Sequence, residues 1–204
     1  LPAMCAFMLQ IPVIVNAEAV DSSNNVTSAV ETPVATPTPA LLDGIVKKGS
    51  RTYFYKNGVM QKNCWSPDKK QYFGKNGVAY AAPKVSGCKK NIVVKKIGKK
   101  YYGFDRNGFK VKKGVYADAK GTPYYFDKKG VRVAKKSNQL KAARQYMADG
   151  AVLRKLLGRP SKTKTLSSCM TGISKDLKLT YANIFVQLGK KTTGGEIVYG
   201  VQAR

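Results

Sequence analysis

The chain repeats one short phrase four times, and this repetition restricts the folds open to it more than any other feature. Each copy has a Phe four residues before a Gly, a basic residue two before that Gly, and an apolar residue after it. The copies end their turns at Gly58, Gly77, Gly108 and Gly130, at intervals of 19, 31 and 22 residues. Self-similarity of this kind predicts a repeat architecture.

Turn signals divide every copy into short strands. Asn precedes the Gly in three copies, and both residue types accept the positive φ that tight hairpin turns require. A second stretch of breaking residues, such as 47–50 or 119–122, stands upstream of each aromatic cluster. Each unit is therefore predicted to fold as strand, turn, aromatic strand, turn and strand.

The charge of the chain points to an anionic partner. The formal net charge is +26 and the chain has no His. Residues 41–137 contain 25 basic and 5 acidic residues, so the repeats carry most of the excess. Solubility explains any single lysine, but a field of this size favours association with anions.

The first 40 residues predict export. Residues 1–19 have the apolar run and the small-x-small ending, Ala17 to Ala19, of a signal peptide whose basic start is missing. Residues 20–40 are rich in Ser, Thr and Pro and are predicted to be a disordered linker. We expect a secreted protein with no membrane span in its mature form.

No catalytic or metal-binding set is evident. The mature chain would keep Cys64, Cys88 and Cys169, so either a Cys64–Cys88 bridge or free thiols fit. Without His or closely spaced Cys pairs, a zinc site has no good ligand set, and no cofactor is predicted. Ser167 and Ser168 have no His base, although a Ser–Lys pairing stays open. We expect that the protein is not an enzyme.

The order aromatic, aromatic, Phe, Asp, short basic turn, Gly and apolar residue resembles the cell-wall-binding repeats of Gram-positive surface proteins. This family includes choline-binding and glucan-binding repeats, and the resemblance covers 41–137. It implies a β-solenoid of stacked hairpins, attached noncovalently to wall polymers or extracellular glucans. Choline cages need several aromatic walls, commonly Trp, and Trp65 is the only Trp, so the general wall-binding branch fits better.

The aromatic residues of the repeats are predicted to have two roles. The constant Phe and the turn glycines form a structural ladder, whereas a Tyr can stack on a sugar and offer its hydroxyl. Trp65 fits either role. The ladder comprises Phe54, Phe73, Phe104, Phe126, Gly58, Gly77, Gly108 and Gly130. The candidate contacts for a glycan or polymer are Tyr53, Trp65, Tyr72, Tyr102, Tyr124, Tyr125, Lys69, Lys70, Lys128 and Lys129.

A different pattern begins after residue 137. Helical spacing in 138–148 and 151–157 is followed by strand patterns in 163–169, 177–188 and 196–201. The order αα then antiparallel βββ predicts a small α+β domain, 138–204. Its stretches "LRKLLGRP", "SSCMTG", "LTYANIFVQL" and "EIVYGV" are similar to one unit of the β-lactamase-inhibitor-protein fold.

The sequence thus predicts a mainly β, noncatalytic, secreted and cell-wall-associated protein. Its partner would be an anionic wall polymer or glycan, such as teichoic acid, peptidoglycan or glucan, bound by the repeats. One alternative is an inhibitor or regulator of an extracellular protein, acting through 138–204. Another is nucleic-acid binding, which suits a basic surface with aromatics but conflicts with the predicted signal peptide.

Overall fold

The computed structural model describes residues 41–204, and the predicted signal peptide and linker lie outside these residues. The prediction of a mainly β protein is confirmed. The repeats contain β1 (Gly44–Lys48), β2 (Arg51–Lys56), β3 (Val59–Met60), β4 (Cys64–Trp65), β5 (Tyr72–Phe73), β6 (Val93–Ile97), β7 (Lys100–Phe104), β8 (Gly114–Ala117) and β9 (Pro123–Phe126). They are followed by α1 (Ala134–Ala143), α2 (Gly150–Leu157), β10 (Lys162–Leu166), β11 (Ile173–Thr180), β12 (Ile184–Lys191) and β13 (Glu196–Ala203).

Each copy of the repeat contains an antiparallel hairpin whose second strand carries the constant Phe. The pairs are β1–β2, β4–β5, β6–β7 and β8–β9, and β3 adds a third strand to the first of them. In the other copies the predicted return strand keeps one bridge to its own hairpin, for example Phe73 with Ala79 and Phe126 with Arg132. Those return segments are too short for a strand because they leave their own hairpin to contact the preceding copy.

The turns are of two kinds. In the first copy Asn57 and Gly58 both have positive φ, 50° and 76°, as a two-residue hairpin loop requires. In the other copies only the Gly does, with φ between 74° and 82°. Asn76 and Asn107 belong to Asn-Gly pairs that could accept positive φ at both residues, but they do not adopt it. These three turns need positive φ at the Gly alone, which is why Lys129 can replace Asn in the last one.

Backbone hydrogen bonds join each copy to the one before it. The N–H of Ala79 donates to the carbonyl of Thr52, and the N–H of Arg132 donates to the carbonyl of Tyr101, both at 2.9 Å. Between the second and third copies, the N–H of Lys110 donates to the carbonyl of Lys70 at 2.7 Å. A single two-stranded hairpin is marginally stable in water, so these bonds help the copies to stabilise one another.

The constant Phe residues lie largely inside the repeats. Phe73, Phe104 and Phe126 have no exposed surface, and Phe54 is half-buried. The Phe54 and Phe73 rings are 5.7 Å apart. The four turn glycines all have positive φ, as tight turns require.

The C-terminal region has four strands, not three. Its antiparallel sheet has the order β10-β11-β12-β13, and the stretch 177–188 is divided between β11 and β12. A tight turn separates them, in which the N–H of Tyr181 donates to the carbonyl of Ile184 at 2.9 Å. This turn contains neither Gly nor Pro, and Tyr181 and Ile184 are both buried, so the apolar pattern continues through it.

The first helix was predicted in 138–148, but α1 begins at Ala134 and ends at Ala143. Ser137 in its first turn is buried and accepts a hydrogen bond from the N–H of Tyr125, at 3.1 Å. The helix thus begins within the region assigned to the repeats. Its chain then turns at Met147, whose φ is 66°, so a helix to residue 148 is excluded.

One core cluster contains residues from both sides of residue 137. Ala117 is completely buried among side chains of α1, α2 and the C-terminal sheet, and Val115 and Tyr125 pack against the same cluster. The Asn183 amide donates to the carbonyl of Val115 at 3.3 Å. The last repeat and the C-terminal sheet therefore share a core, and the independent folding of 138–204 stays a prediction.

Residues 41–204 contain three cysteines and two helices. Cys64, Cys88 and Cys169 are free thiols, the first two half-buried and the third exposed. Burial raises the pKa of the Cys64 thiol. Neither helix in this range has the length and apolar character needed to cross a membrane.

Candidate functional site

Three of the predicted contact residues meet in one place. The Trp65 ring centroid is 5.2 Å from that of Tyr72 and 5.1 Å from that of Tyr102, with both pairs edge to face. Tyr72 in turn stacks on Tyr80 at 5.5 Å. We call Trp65, Tyr72, Tyr80 and Tyr102 the aromatic cluster. All four residues are half-buried, so part of each is exposed to solvent.

The stacking of successive copies builds this cluster. The β4–β5 register places Trp65 opposite Tyr72 within the second copy, and the third copy supplies Tyr102. Below them lies Phe104, whose ring is 6.0 Å from Trp65 and 5.8 Å from Tyr80. Trp65 is thus both part of the packing and part of the accessible surface.

Two lysines place their ammonium groups over the aromatic cluster. Lys110 Nζ is 4.7 Å from the centroid of Trp65 and 5.8 Å from that of Tyr102. Lys95 Nζ is 5.4 Å from the centroid of Tyr80. Such contacts attract a cation to the face of an aromatic ring. They hold positive charge beside the exposed parts of the aromatic rings.

The positive charge around Lys110 is concentrated. Burial lowers the pKa of Lys110, and the nearby ammonium groups of Lys112 and Lys69 lower it further. Lys69 was a predicted contact, whereas Lys110 and Lys112 were not. The three cations come from two copies of the repeat, which the structure brings to the same region.

One position of the repeat could have identified Lys110 from the sequence. The position two residues after the turn Gly is Met60 and Ala79 in the first two copies but Lys110 and Arg132 in the last two. The Arg132 guanidinium lies 4.4 Å from the ring centroid of Tyr101. In both later copies this position therefore places a cation over an aromatic ring.

Other predicted aromatic contacts have partners within the protein. The Tyr124 hydroxyl donates to Asp118 Oδ2 at 3.2 Å, and Lys141 Nζ lies 4.7 Å from its ring centroid. Burial is the main cause that raises the Tyr124 pKa. Tyr125 packs against the C-terminal core, and Lys136 Nζ lies 4.4 Å from its ring centroid. These two rings lie apart from the aromatic cluster.

The remaining predicted contacts are on the first, second and last copies. Tyr53 is half-buried in β2 and bridges Val78 of the second copy. Lys70 is paired with Asp68 at 3.3 Å, with both side chains well exposed. Lys128 and Lys129 are exposed on the last turn. The structure thus brings Trp65, Tyr72 and Tyr102 together, with Lys69 nearby, and leaves the other candidates elsewhere.

The acidic residues of the repeats leave most of the positive charge unpaired. Asp105, Asp118 and Asp127 each accept two backbone N–H groups of their own turn, at 2.8–3.0 Å. Within residues 41–204, the ion pairs are Lys70–Asp68 and Arg154–Glu196 alone. The sequence pattern predicted a basic surface, and in residues 41–204 these three turn carboxylates accept backbone N–H groups and form no ion pair with its lysines or arginines.

Two cavities adjoin along the repeats. The first basic cavity, of about 740 Å³, is lined by Lys47, Arg51, Lys84 and Arg106 among other residues. The second basic cavity, of about 470 Å³, shares Arg106 and Asn107 with the first. Arg106 therefore connects two concave, cationic regions on the described part of the chain.

Comparison with known proteins gives similarities to solved structures only. No family model and no curated protein matches the chain. A truncated alternansucrase from Leuconostoc mesenteroides is similar over 76% of this chain, with 16% identity and a TM-score of 0.37. The Cpl-1 endolysin complexed with a peptidoglycan analogue is similar over 78%, with 13% identity and a TM-score of 0.36. The chain spans 10% and 38% of the lengths of these proteins.

Proposed function

We propose that this protein is a noncatalytic, secreted, cell-wall-associated protein that binds an anionic wall polymer or glycan through a solenoid of stacked β-hairpin repeats. The observation that carries this proposal is the aromatic cluster with Lys110 above it. Its rings come from successive copies, and the hydrogen bonds between copies support the solenoid arrangement.

Two physical contributions combine in the proposed binding. The parts of Trp65, Tyr72 and Tyr102 that Lys110 and Tyr80 leave uncovered offer stacking area to sugar rings, while Lys69 and Lys110 pair with phosphate or carboxylate groups of the polymer. The unpaired positive charge of the repeats raises the local concentration of the polyanion and the rate of encounter. Charge provides the long-range attraction, and the rings provide the contact geometry.

Co-sedimentation with purified sacculi tests the proposal. We expect the protein to sediment with intact sacculi and to bind less after the anionic polymers, such as teichoic acids, are stripped away. A single-stranded oligonucleotide added as competitor tests the nucleic-acid alternative. Equal binding to intact and stripped sacculi would contradict the assignment of the polymer, and no binding to either would contradict the proposed function.

Salt will separate the two contributions. The Debye length falls from about 10 Å at 0.1 M to about 3 Å at 1 M, so we expect most of the binding to be lost over this range. Stacking is screened much less, so a Tyr102→Ala variant should lose the remainder measured at 1 M salt. Binding that is unchanged by salt would show that charge does not provide the attraction.

Neutralising Lys69, which lies near the cluster, together with its exposed neighbour Lys70 provides the complementary prediction. The double variant Lys69→Gln, Lys70→Gln should bind sacculi about two- to tenfold more weakly at 0.1 M salt, given the usual strength of exposed ion pairs. The matched control is Lys162→Gln, Lys164→Gln on β10, which removes the same charge from exposed positions. If both double variants lose affinity equally, net charge alone explains binding and the site near the cluster is wrong.

A further inference from the structure

The second basic cavity lies where the third copy of the repeat approaches the C-terminal sheet. Asn183, in the turn between β11 and β12, forms part of its wall together with Ile92 and Tyr116. The cavity is open to solvent and concentrates positive charge. Its basic side chains are Lys89, Lys90, Arg106, Lys110 and Lys112.

The carboxylates of the described residues offset these five cations only in part, with Asp68 and Asp127 acting on Lys110 from outside the lining. The one acidic residue in the lining is Asp105, whose Oδ1 accepts the N–H groups of Asn107 and Phe109 at 2.9 and 2.8 Å. None of the five takes part in an ion pair within residues 41–204. Like charges gathered in a cavity repel one another, so an anion that enters it relieves this repulsion.

Two of the cations are already positioned. The Arg106 guanidinium donates to the carbonyl of Cys88 at 3.3 Å, and Lys90 Nζ donates to the carbonyl of Ala182 at 2.8 Å. Arg106 keeps further N–H donors in a planar fork, which matches the oxygens of a phosphate group. Side chains that are ordered before binding lose less conformational entropy when a ligand arrives.

We infer that the second basic cavity binds a chain of linked phosphate groups. The lining has five cations and one carboxylate, Asp105, so several positive charges remain. A single carboxylate ligand would not neutralise them. Linked phosphates supply several charges and many acceptor oxygens within a short length, so they match both the charge and the donors of the cavity.

Lys110 connects this cavity to the aromatic cluster, because its ammonium lies over Trp65 while it also lines the cavity. A ligand with alternating sugars and phosphates could therefore occupy both regions. Only the identity of the natural ligand rests on the proposed function. The anion site itself follows from the cavity.

Calorimetric titration of the full chain with inorganic phosphate, pyrophosphate and tripolyphosphate tests the inference. At matched ionic strength we expect affinity to rise with each added phosphate, with tripolyphosphate bound at least about tenfold more tightly than phosphate. Citrate serves as the carboxylate comparison. Equal or tighter binding of citrate, or no binding of tripolyphosphate, would overturn the inference.

A pair of charge-matched variants locates the site. Lys89→Gln, Lys112→Gln removes two exposed cavity cations and should weaken tripolyphosphate binding at least about tenfold. Lys162→Gln, Lys164→Gln removes equal charge outside the cavity and should change it less than about twofold. Thermal unfolding of both variants checks that they fold. Equal effects from the two variants would show diffuse attraction instead of a site.

The sacculus and tripolyphosphate experiments can fail independently. Tripolyphosphate binding that depends on Lys89 and Lys112, without sacculus binding, would support the cavity and contradict the proposed function. Sacculus binding with no affinity for tripolyphosphate would support the proposed function and contradict the inferred site.

Discussion

Replacing Phe126 with alanine will lower the free energy of unfolding by about 3–5 kcal/mol, the usual cost of removing a buried aromatic ring. Phe126 has no exposed surface and forms a core cluster with Ile92 and Val111. Its ring centroid also lies 6.0 Å from that of Tyr116, edge to face. The alanine variant leaves a cavity that this small core has little means to fill. Equilibrium unfolding in urea will measure the difference.

Phe109 provides the matched control for this prediction. It directly follows the turn glycine of the third copy, and 43% of its surface is exposed. Phe109→Ala should therefore cost less than about 1 kcal/mol. Comparable losses from Phe109→Ala and Phe126→Ala would show that the constant Phe position has no special part in the core.

The variant Gly130→Ala will lose about 2–5 kcal/mol of stability, because two separate penalties apply. The φ of Gly130 is 82°, which an L-residue with a side chain adopts at a cost of about 1–2 kcal/mol. A Cβ there would also lie 2.7 Å from the carbonyl oxygen of Val111 and 3.1 Å from the Lys110 side chain. Forcing an atom into such a packed position costs a further ~1–3 kcal/mol.

Gly98→Ala separates these two penalties. Gly98 has a φ of 58°, but a Cβ at this position would meet nothing within 4 Å. It should therefore show the backbone penalty alone, about 1–2 kcal/mol in the same urea measurement. Equal destabilisation by the two glycine variants would mean that the close approach of the last turn to Val111 contributes nothing.

The repeat period predicted the local features of the hairpins and little of how they meet. The Gly turns and the constant Phe depend on neighbouring residues, so one period was enough to identify them. The contacts of Tyr80 and Lys110 in the aromatic cluster depend on how one copy stacks on the next. Because the intervals between copies are unequal, at 19, 31 and 22 residues, the sequence does not predict which residues of neighbouring copies come into contact.

The long interval between the second and third turns explains why the second basic cavity was missed. It contains Lys89 and Lys90, which belong to no repeated position and reach the cavity only through folding. Lys90 Nζ contacts the carbonyl of Ala182, which lies 92 residues further along the chain. A local sequence pattern does not show that two residues so far apart in the chain are in contact in the fold.

Turn chemistry limited the prediction of the C-terminal region. The turn at Tyr181–Ile184 is stabilised by burial of its apolar side chains and by one backbone hydrogen bond, with neither Gly nor Pro to mark it. By contrast, Gly194 and Gly195 lie between β12 and β13, where the predicted strands 177–188 and 196–201 were kept apart. Strands were therefore separated correctly only where a glycine marked the turn.

The core shared across residue 137 gives the repeat array a capped end. Ala117 and Tyr125 of the last copy pack into the C-terminal core, and Gly121 lies against the carbonyl of Val201. A fifth copy inserted between β9 and α1 would separate these partners, whereas one added before β1 would leave them and the contact of Lys90 with Ala182 in place. Evolution or protein engineering could thus lengthen the array at its N-terminal side only, because the last hairpin must keep its contacts with the C-terminal core.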